Sequence, residues 1–312
     1  MQIDLTFEAM SFAGHESFAP RLLWPKKAYD AANSDPESFA GDDAMVALGV
    51  GKNMVRSIRH WGVAFGILEE DADSRGRRVL PSEFGQALLS DTGWDPFLED
   101  PASLWALHWR LARNTAEATS AAWLFARPRG GRFTRDEIVS ELELLIKDSR
   151  ARRVPRDSLR RDVEVLFRIY ARGIGTRVGR ARTPEEDQLD SPLCSLGLLR
   201  AAQEKGSFEL AVGSQPSLPL SVLHAAIIDF ATSKTRSART IPLQTLLYAP
   251  FSPGRVFRLT EDALALRLAQ LEREPHLRFD ETAGLRQLIL SDDLPSPMEI
   301  LGRHFAANGV LP

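Results

Sequence analysis

Apolar residues recur at the helical spacing of three and four along most of this chain, interrupted at intervals by glycine-rich or basic turns. PRLLWPKKAYDAAN (20–33) predicts a helix with Pro20 in its first turn and Leu22, Leu23, Trp24, Ala28 and Ala31 on the apolar face. DDAMVALGV (42–50) predicts a short helix capped by Asp42 or Asp43 and stopped at Gly49 and Gly51. KNMVRSIRHWGVAFGIL (52–68) predicts a third helix with Met54, Val55, Ile58, Trp61 and Leu68 inward. A turn at SRGRR and a helix from about Pro81 to Leu89 complete this first unit.

The plan then recurs. A tryptophan-rich helical connector (103–125) offers Trp105, Trp109 and Trp123 as core. FTRDEIVSELELLIKD (133–148) begins with Thr134 as N-cap and Glu137 closing a capping box. VPRDSLRRDVEVLFRIY (154–170) begins at Asp157 or Ser158, turning Leu159, Val163, Leu166 and Phe167 inward and Arg156, Arg160, Arg161 and Arg168 outward. The last unit comprises a helix at 218–234, a short helix at 241–259, a helix capped by Thr260, and strands from Leu277 and Leu285 meeting near Ala283-Gly284. The expected fold class is mainly α: tandem winged helix-turn-helix units joined by helical connectors, with short β wings. The expected boundaries are 1–100, 101–190 and 191–312.

Charge gives these units different faces. The net charge of −3 excludes a whole-chain argument for nucleic acid. Lys147 to Arg182, however, carries 12 basic residues against Asp148, Asp157, Asp162 and Glu164, before the acidic EEDQLD at 185–190. A local excess of this kind suits a phosphate backbone. In the first unit Lys52, Asn53, Arg56, Arg59 and His60 are expected on the outer side of a recognition helix, with Arg75, Arg77 and Arg78 on the wing. In the second, Arg152, Arg153, Arg156, Arg160 and Arg161 are the corresponding candidates. The plain alternative is a solvated amphipathic face. The third unit carries Glu261, Asp262, Glu272 and Glu274, so self-association into a homodimer or docking of a partner protein is expected there.

Catalytic signatures are sparse. No phosphate-binding GxxxxGK[ST] loop exists, His15-Glu16 is not HExxH, and no two histidines have metal-ligand spacing. The single cysteine, Cys194, excludes an internal disulfide and suits a reducing, cytoplasmic location and a buried structural thiol. Glu137, Glu141 and Glu143 could hold Mg²⁺ but fit a solvated helix face better. The densest chemical stretch is GHESFAPRLLWPKK (14–27). There His15 could act as general base, Arg21 could clamp a phosphate, and Glu16 could orient the histidine or bind a metal. The structural reading makes Glu16 a cap paired with Arg21. No run reaches the length of about 20 residues that a membrane helix needs, and MQIDLTFEAM lacks the pattern of a signal peptide.

SFAGHESFAPRLLWPKKAYDAA, LGVGKNMVRSIRHWGVAFGIL and DSPLCSLGLL resemble the SspB-like family of bacterial DNA phosphorothioation phage-defence systems, first catalogued as a domain of unknown function. The resemblance implies a DNA-nicking component, with Mg²⁺ as the expected cofactor if it nicks. It also implies DNA, a PAPS-reductase-like sulfur-transfer protein and an ATPase of the same system as partners. It assigns no residue. A non-catalytic DNA-binding adaptor is the alternative, and a transcriptional regulator a weaker one, since one acidic recognition helix and three dissimilar units exceed what a regulator needs.

Overall fold

The computed structural model describes residues 7, 9–41, 43–128, 130–149, 153–171, 191–234 and 239–308, the side chains of Lys234 and Ala283 apart. Asp42, Arg152, all of the basic run beyond Ala171 and the acidic 185–190 stretch lie outside the described residues.

The first helices are α1 (Trp24–Ser34), α2 (Ala44–Leu48) and α3 (Lys52–Ala64). α1 starts later than the sequence suggests, because residues 21–23 form a turn and Pro25, not Pro20, occupies the first helical positions. Leu22 and Leu23 therefore stand 45% and 52% exposed, outside the apolar face. Asp43 precedes α2 without a side-chain cap, and Gly49 ends it in the left-handed region at φ 63°. α3 ends before Leu68, which starts β1 (Leu68–Glu70), paired antiparallel with β2 (Val79–Pro81). Between them Arg75 takes φ 53°. α4 (Glu83–Leu89) begins at the Ser82 hydroxyl, which accepts from Gly85 N–H.

The connector consists of two helices, α5 (Pro101–Leu111) and α6 (Thr119–Ala126). Trp105 and Trp109 are buried and Trp123 partly so. After α6 come β3 (Phe133–Thr134), α7 (Arg135–Asp148) and α8 (Arg156–Tyr170). The Thr134–Glu137 capping box forms as expected. α8 begins at Arg156, one residue before Asp157 and two before Ser158, behind Pro155, which fixes φ and so sets the start without a side-chain cap. β4 (Leu199–Ala201) and β5 (Ser207–Leu210) were not expected, because their short runs carry little periodicity. β3 pairs with β5 and β5 with β4, in the order β3-β5-β4.

α9 (Leu220–Lys234), β6 (Thr240–Pro242), α10 (Leu243–Tyr248), α11 (Pro253–Val256), α12 (Glu261–Leu271), β7 (Leu277–Asp280), β8 (Gln287–Leu290) and α13 (Pro297–Ala307) follow. The sheet order is β6-β8-β7, so in both three-stranded sheets the earliest strand pairs with the latest. The Thr260 cap forms, and Gly284 turns the chain between β7 and β8 at φ 78°. α13 was not expected; it has its own capping box at Ser296 and Glu299 and packs on α9. The fold is thus mainly α with small antiparallel sheets, as expected at that level. Among the described residues no helix is long and apolar enough to cross a membrane.

One hydrophobic cluster runs from Trp24 to Phe305. The connector's polar tips find partners across it. His108 bonds the Tyr170 hydroxyl at 2.8 Å and the Val256 carbonyl at 3.0 Å, while Trp109 donates to Asp229 at 2.8 Å. Burial lowers the His108 pKa to about 3, so the ring sits neutral. Arg255 and Arg258, 4% and 1% exposed, donate to the carbonyls of Ala126 and of Leu124 and Phe125. They satisfy the last turn of α6, where a cation also meets the negative end of the helix dipole.

Gly85 tests this packing. A Cβ there would lie 2.2 Å from the Ile67 carbonyl oxygen, a backbone atom that cannot step aside. Gly85→Ala should cost about 1–3 kcal/mol, read as a lower urea midpoint with an unchanged slope.

Candidate functional site

Residues 13–18 form a tight loop stitched to two helices, α3 and α8. Ala13, Glu16 and Ser17 all take positive φ, at 63°, 48° and 68°. Side chains rarely tolerate this conformation, which costs on the order of 1–3 kcal/mol each unless the surroundings enforce it. Here they do. Ala13 N–H donates to Asp162 of α8 at 2.7 Å, Arg168 of α8 donates to the Ser17 carbonyl at 2.6 Å, and Trp61 of α3 donates to the Phe18 carbonyl at 3.0 Å. Gly14 is required by contact: a Cβ would stand 2.6 Å from His60 Nδ1.

His15 is 4% exposed and uses both ring nitrogens. Ser17 N–H donates to Nδ1 at 3.1 Å, so the ring hydrogen is on Nε2, which donates to Asp162 at 2.9 Å. Asp162 also accepts from the Ser120 hydroxyl of α6. Burial opposes the charge on Asp162, but the bonds from His15, Ala13 and Ser120 overcome it and hold the pKa below its ordinary 3.8. Asp162 was counted in the sequence only as a charge offsetting arginines. Its position on the inward face of α8, beside Val163, was the available signal for a buried polar role.

The other candidates are spread over the loop itself, α3, the β1–β2 ribbon and the start of α8. Glu16 pairs with Arg56 at 3.2 Å rather than with Arg21. The Arg21 guanidinium lies 5.6 Å from the Trp24 ring centroid. His60, expected outward, turns toward the loop with its ring centroid 6.0 Å from that of His15 and 4.9 Å from that of Trp61. Burial first, then the neighbouring His15, lowers its pKa to about 4. Arg59 ties α3 to the β1–β2 ribbon through Glu70 at 2.7 Å and the Gly76 carbonyl at 3.0 Å. Lys52, Asn53, Arg56, Arg75, Arg77 and Arg78 are exposed, with Arg78 on Asp71 at 3.1 Å. On α8, Arg156 pairs with Glu143, and Arg160 lies 3.7 Å from Asp136 and 3.5 Å from Asp157. Arg153 and Arg161 are exposed.

The acidic face of α7 is engaged throughout. Glu137 closes the capping box, Glu141 accepts from Trp123 and Arg127, and Glu143 holds Arg156. Cys194 is buried, with its thiol on the carbonyls of Arg168 and Ile169. No histidines share a local metal-ligand spacing, yet His224 and His276, 52 positions apart, face each other at 2.8 Å. Local spacing could not reveal so distant a pair.

The molecule is therefore a mainly helical protein with exposed basic positions on α3, its adjoining ribbon and the start of α8, assembled around a buried His–Asp contact. A protein family described as Protein of unknown function (DUF4007) matches residues 12–305. The chain also resembles the magnesium ion-bound SspB crystal structure, at 33% identity and a TM-score of 0.82 over 96% of this chain and 87% of that one. A second SspB crystal structure gives 33% identity and a TM-score of 0.81 with the same coverage. No curated protein matches. The chain belongs to the DUF4007 family and is SspB-like.

Asp162→Ala removes the acceptor for three buried donors and should cost about 3 kcal/mol or more, measured by urea unfolding near neutral pH. The pH dependence separates the contributors. Histidines buried neutral, His60 at about 4 and His108 at about 3, have folded values below the ordinary 6.5. Their contribution is complete above 6.5 and declines as pH falls toward those values. Asp162, depressed below 3.8, adds its loss only as pH falls through its own lower value. Asp162→Asn should keep the decline that starts near 6.5 and flatten the loss below about pH 4.

Proposed function

We propose that this chain is the DNA-binding component of a bacterial DNA phosphorothioate-modification and defence system, and that it nicks one strand to admit sulfur. The observation that carries this reading is the likeness to SspB across 96% of the chain at 33% identity. Its partners are then DNA, a PAPS-reductase-like sulfur-transfer protein and the ATPase of the same system. A homodimer through the acidic third unit belongs to the same reading.

α1–α3 with β1–β2, α6–α8 with β3–β5, and α9–α12 with β6–β8 are read as winged helix-turn-helix units based on 1–100, 101–190 and 191–312, the second taking its strands β4 and β5 from beyond residue 190. The recurring pairing of earliest with latest strand supports this for the second and third units. α3 would enter the major groove, with Asn53 and Arg56 toward base edges and Lys52 toward phosphate. Arg75, Arg77 and Arg78 would hold the flanking backbone, and Arg153, Arg156, Arg160 and Arg161 a second stretch of it. The pairing of Arg156 and Arg160 with acidic neighbours does not oppose this, since exposed ion pairs are worth little and exchange readily for phosphate. α12 carries Glu261 and Asp262 in its first turn and is kept out of the DNA account.

Mg²⁺ is bound by the SspB relative. It takes oxygen ligands, commonly one or two carboxylates completed by water and phosphate. Around the 13–18 loop Asp162 is committed to His15, Ala13 and Ser120, and the other carboxylates nearby among the described residues include Glu16, paired with Arg56, and the half-buried Glu117. These residues do not form a magnesium cage by themselves, and no catalytic step is routed through the ion. His15, with both nitrogens engaged, has no lone pair free for a general base in this arrangement. That observation favours the second reading, an adaptor that binds DNA and recruits the sulfur-transfer machinery without cutting.

Supercoiled plasmid distinguishes the two. Nicking that requires Mg²⁺ and stops with EDTA supports the first reading, and binding without nicking supports the second. Because His15 is buried, Glu16→Gln with Arg21→Ala is the cleaner variant; full nicking by it would remove this loop from the chemistry. Arg56→Ala and Arg77→Ala should each weaken duplex binding and lower the salt slope by about 1. Binding insensitive to salt between roughly 50 and 200 mM would count against the basic surface altogether.

A further inference from the structure

His224 lies in the second turn of α9, while Glu274 and His276 lie in the turn that leads from α12 into β7. Chain folding brings the three together, with one ligand atom from each within 4.8 Å of the others. The two imidazoles stack at 18° with centroids 4.9 Å apart and direct their Nε2 atoms at each other. They are 3% and 8% exposed, and Glu274 is partly exposed, so the carboxylate lies on the solvent side. Two buried imidazoles sharing a single hydrogen bond, with a carboxylate in reach, are a donor set in search of a cation rather than an ordinary core contact.

We propose that His224, Glu274 and His276 form a site for a borderline divalent transition metal, with Zn²⁺ as the ion best suited to it. Imidazole nitrogen selects zinc and its neighbours over Mg²⁺, which demands oxygen. Two nitrogens about 2.05 Å from a tetrahedral zinc lie about 3.3 Å apart. The present 2.8 Å therefore has to open by only about half an ångström. The metal takes the place of the shared hydrogen, and the histidine that carried it moves its proton to Nδ1. Burial, with His276 alongside, lowers the His224 pKa to about 4 and keeps that ring neutral. Asp293 adds negative charge nearby and Arg303 of α13 opposes it. Three protein ligands leave a fourth position for water, so the site is open rather than closed. Bound metal would fasten α9 to the base of β7. The inference is independent of whether the chain cuts DNA, and the 13–18 loop takes no part in it.

The test uses the full chain with any affinity tag removed, stripped by chelator and titrated with ZnCl₂ in competition with a chromophoric chelator. One equivalent should bind, and the melting temperature should rise with zinc concentration. Glu274→Gln, at a partly exposed position, should lower affinity at least about tenfold while leaving the metal-free melting temperature unchanged; His276→Gln should lower it about a hundredfold. MgCl₂ in thousandfold excess should displace none of the zinc. The proposal is overturned by substoichiometric binding, by equal affinity in both variants, or by displacement with magnesium.

Discussion

The buried contact between His15 and Asp162 is the constraint on which the arrangement of the first two-thirds of the molecule depends. A carboxylate inside a protein is costly unless its oxygens are filled. Asp162 fills them from His15, Ala13 and Ser120, and so fixes the loop, α6 and α8 to one another. α3 joins through Trp61 on Phe18 and through the His60 ring that Gly14 makes room for. Three left-handed residues in one short loop would relax if any of these bonds were absent. Their persistence means that the surroundings determine the loop, and that its shape is a consequence of where α3 and α8 meet.

Arginine serves two distinct purposes in this chain. Arg255 and Arg258 lie inside, where their planar heads cap the carbonyls at the end of α6, a task a lysine's single ammonium would do poorly. Arg59 and Arg168 sit between core and surface and hold the ribbon and the loop in place. Only those beyond these positions, such as Arg56, Arg77 and Arg161, remain as exposed charge. The local basic excess is therefore an upper bound on what any phosphate backbone would meet. Composition counts charges, whereas geometry divides them between architecture and surface.

Periodicity made α1, α3 and α8 legible because each buries one face; the Thr134 and Thr260 caps followed from their own local rule. The short strands escaped because Phe133–Thr134 or Leu199–Ala201 offer too few positions to alternate, and the partner of Phe133–Thr134, at Ser207 and Phe208, lies far along the chain. α13, whose Ser296 box is written in the sequence, follows the last wing and so falls outside the recurring three-part plan. At the site, His15 and Glu16 were visible as a dense polar cluster, but their partners were not. Glu16 reaches Arg56 and His15 reaches Asp162, 40 and 147 positions away, and only the folded chain makes those pairs. The His224–His276 pair was hidden for the same reason.

That last step of folding also bears on how the exposed basic surfaces relate. The loop that carries Glu16 touches Arg56 on α3 and Arg168 on α8, so it sets both helices by contacts on their inner and flanking sides. If both helices meet one duplex, as proposed, their mutual orientation is decided in the dry interior and not by the charges themselves. A buried hydrogen bond to a carboxylate is hardly screened by salt, whereas exposed Arg–phosphate contacts are. Raising the ionic strength would then release DNA without loosening the platform. A change at Asp162 would do the reverse, leaving every exposed arginine in place but removing the geometry that lets them act together.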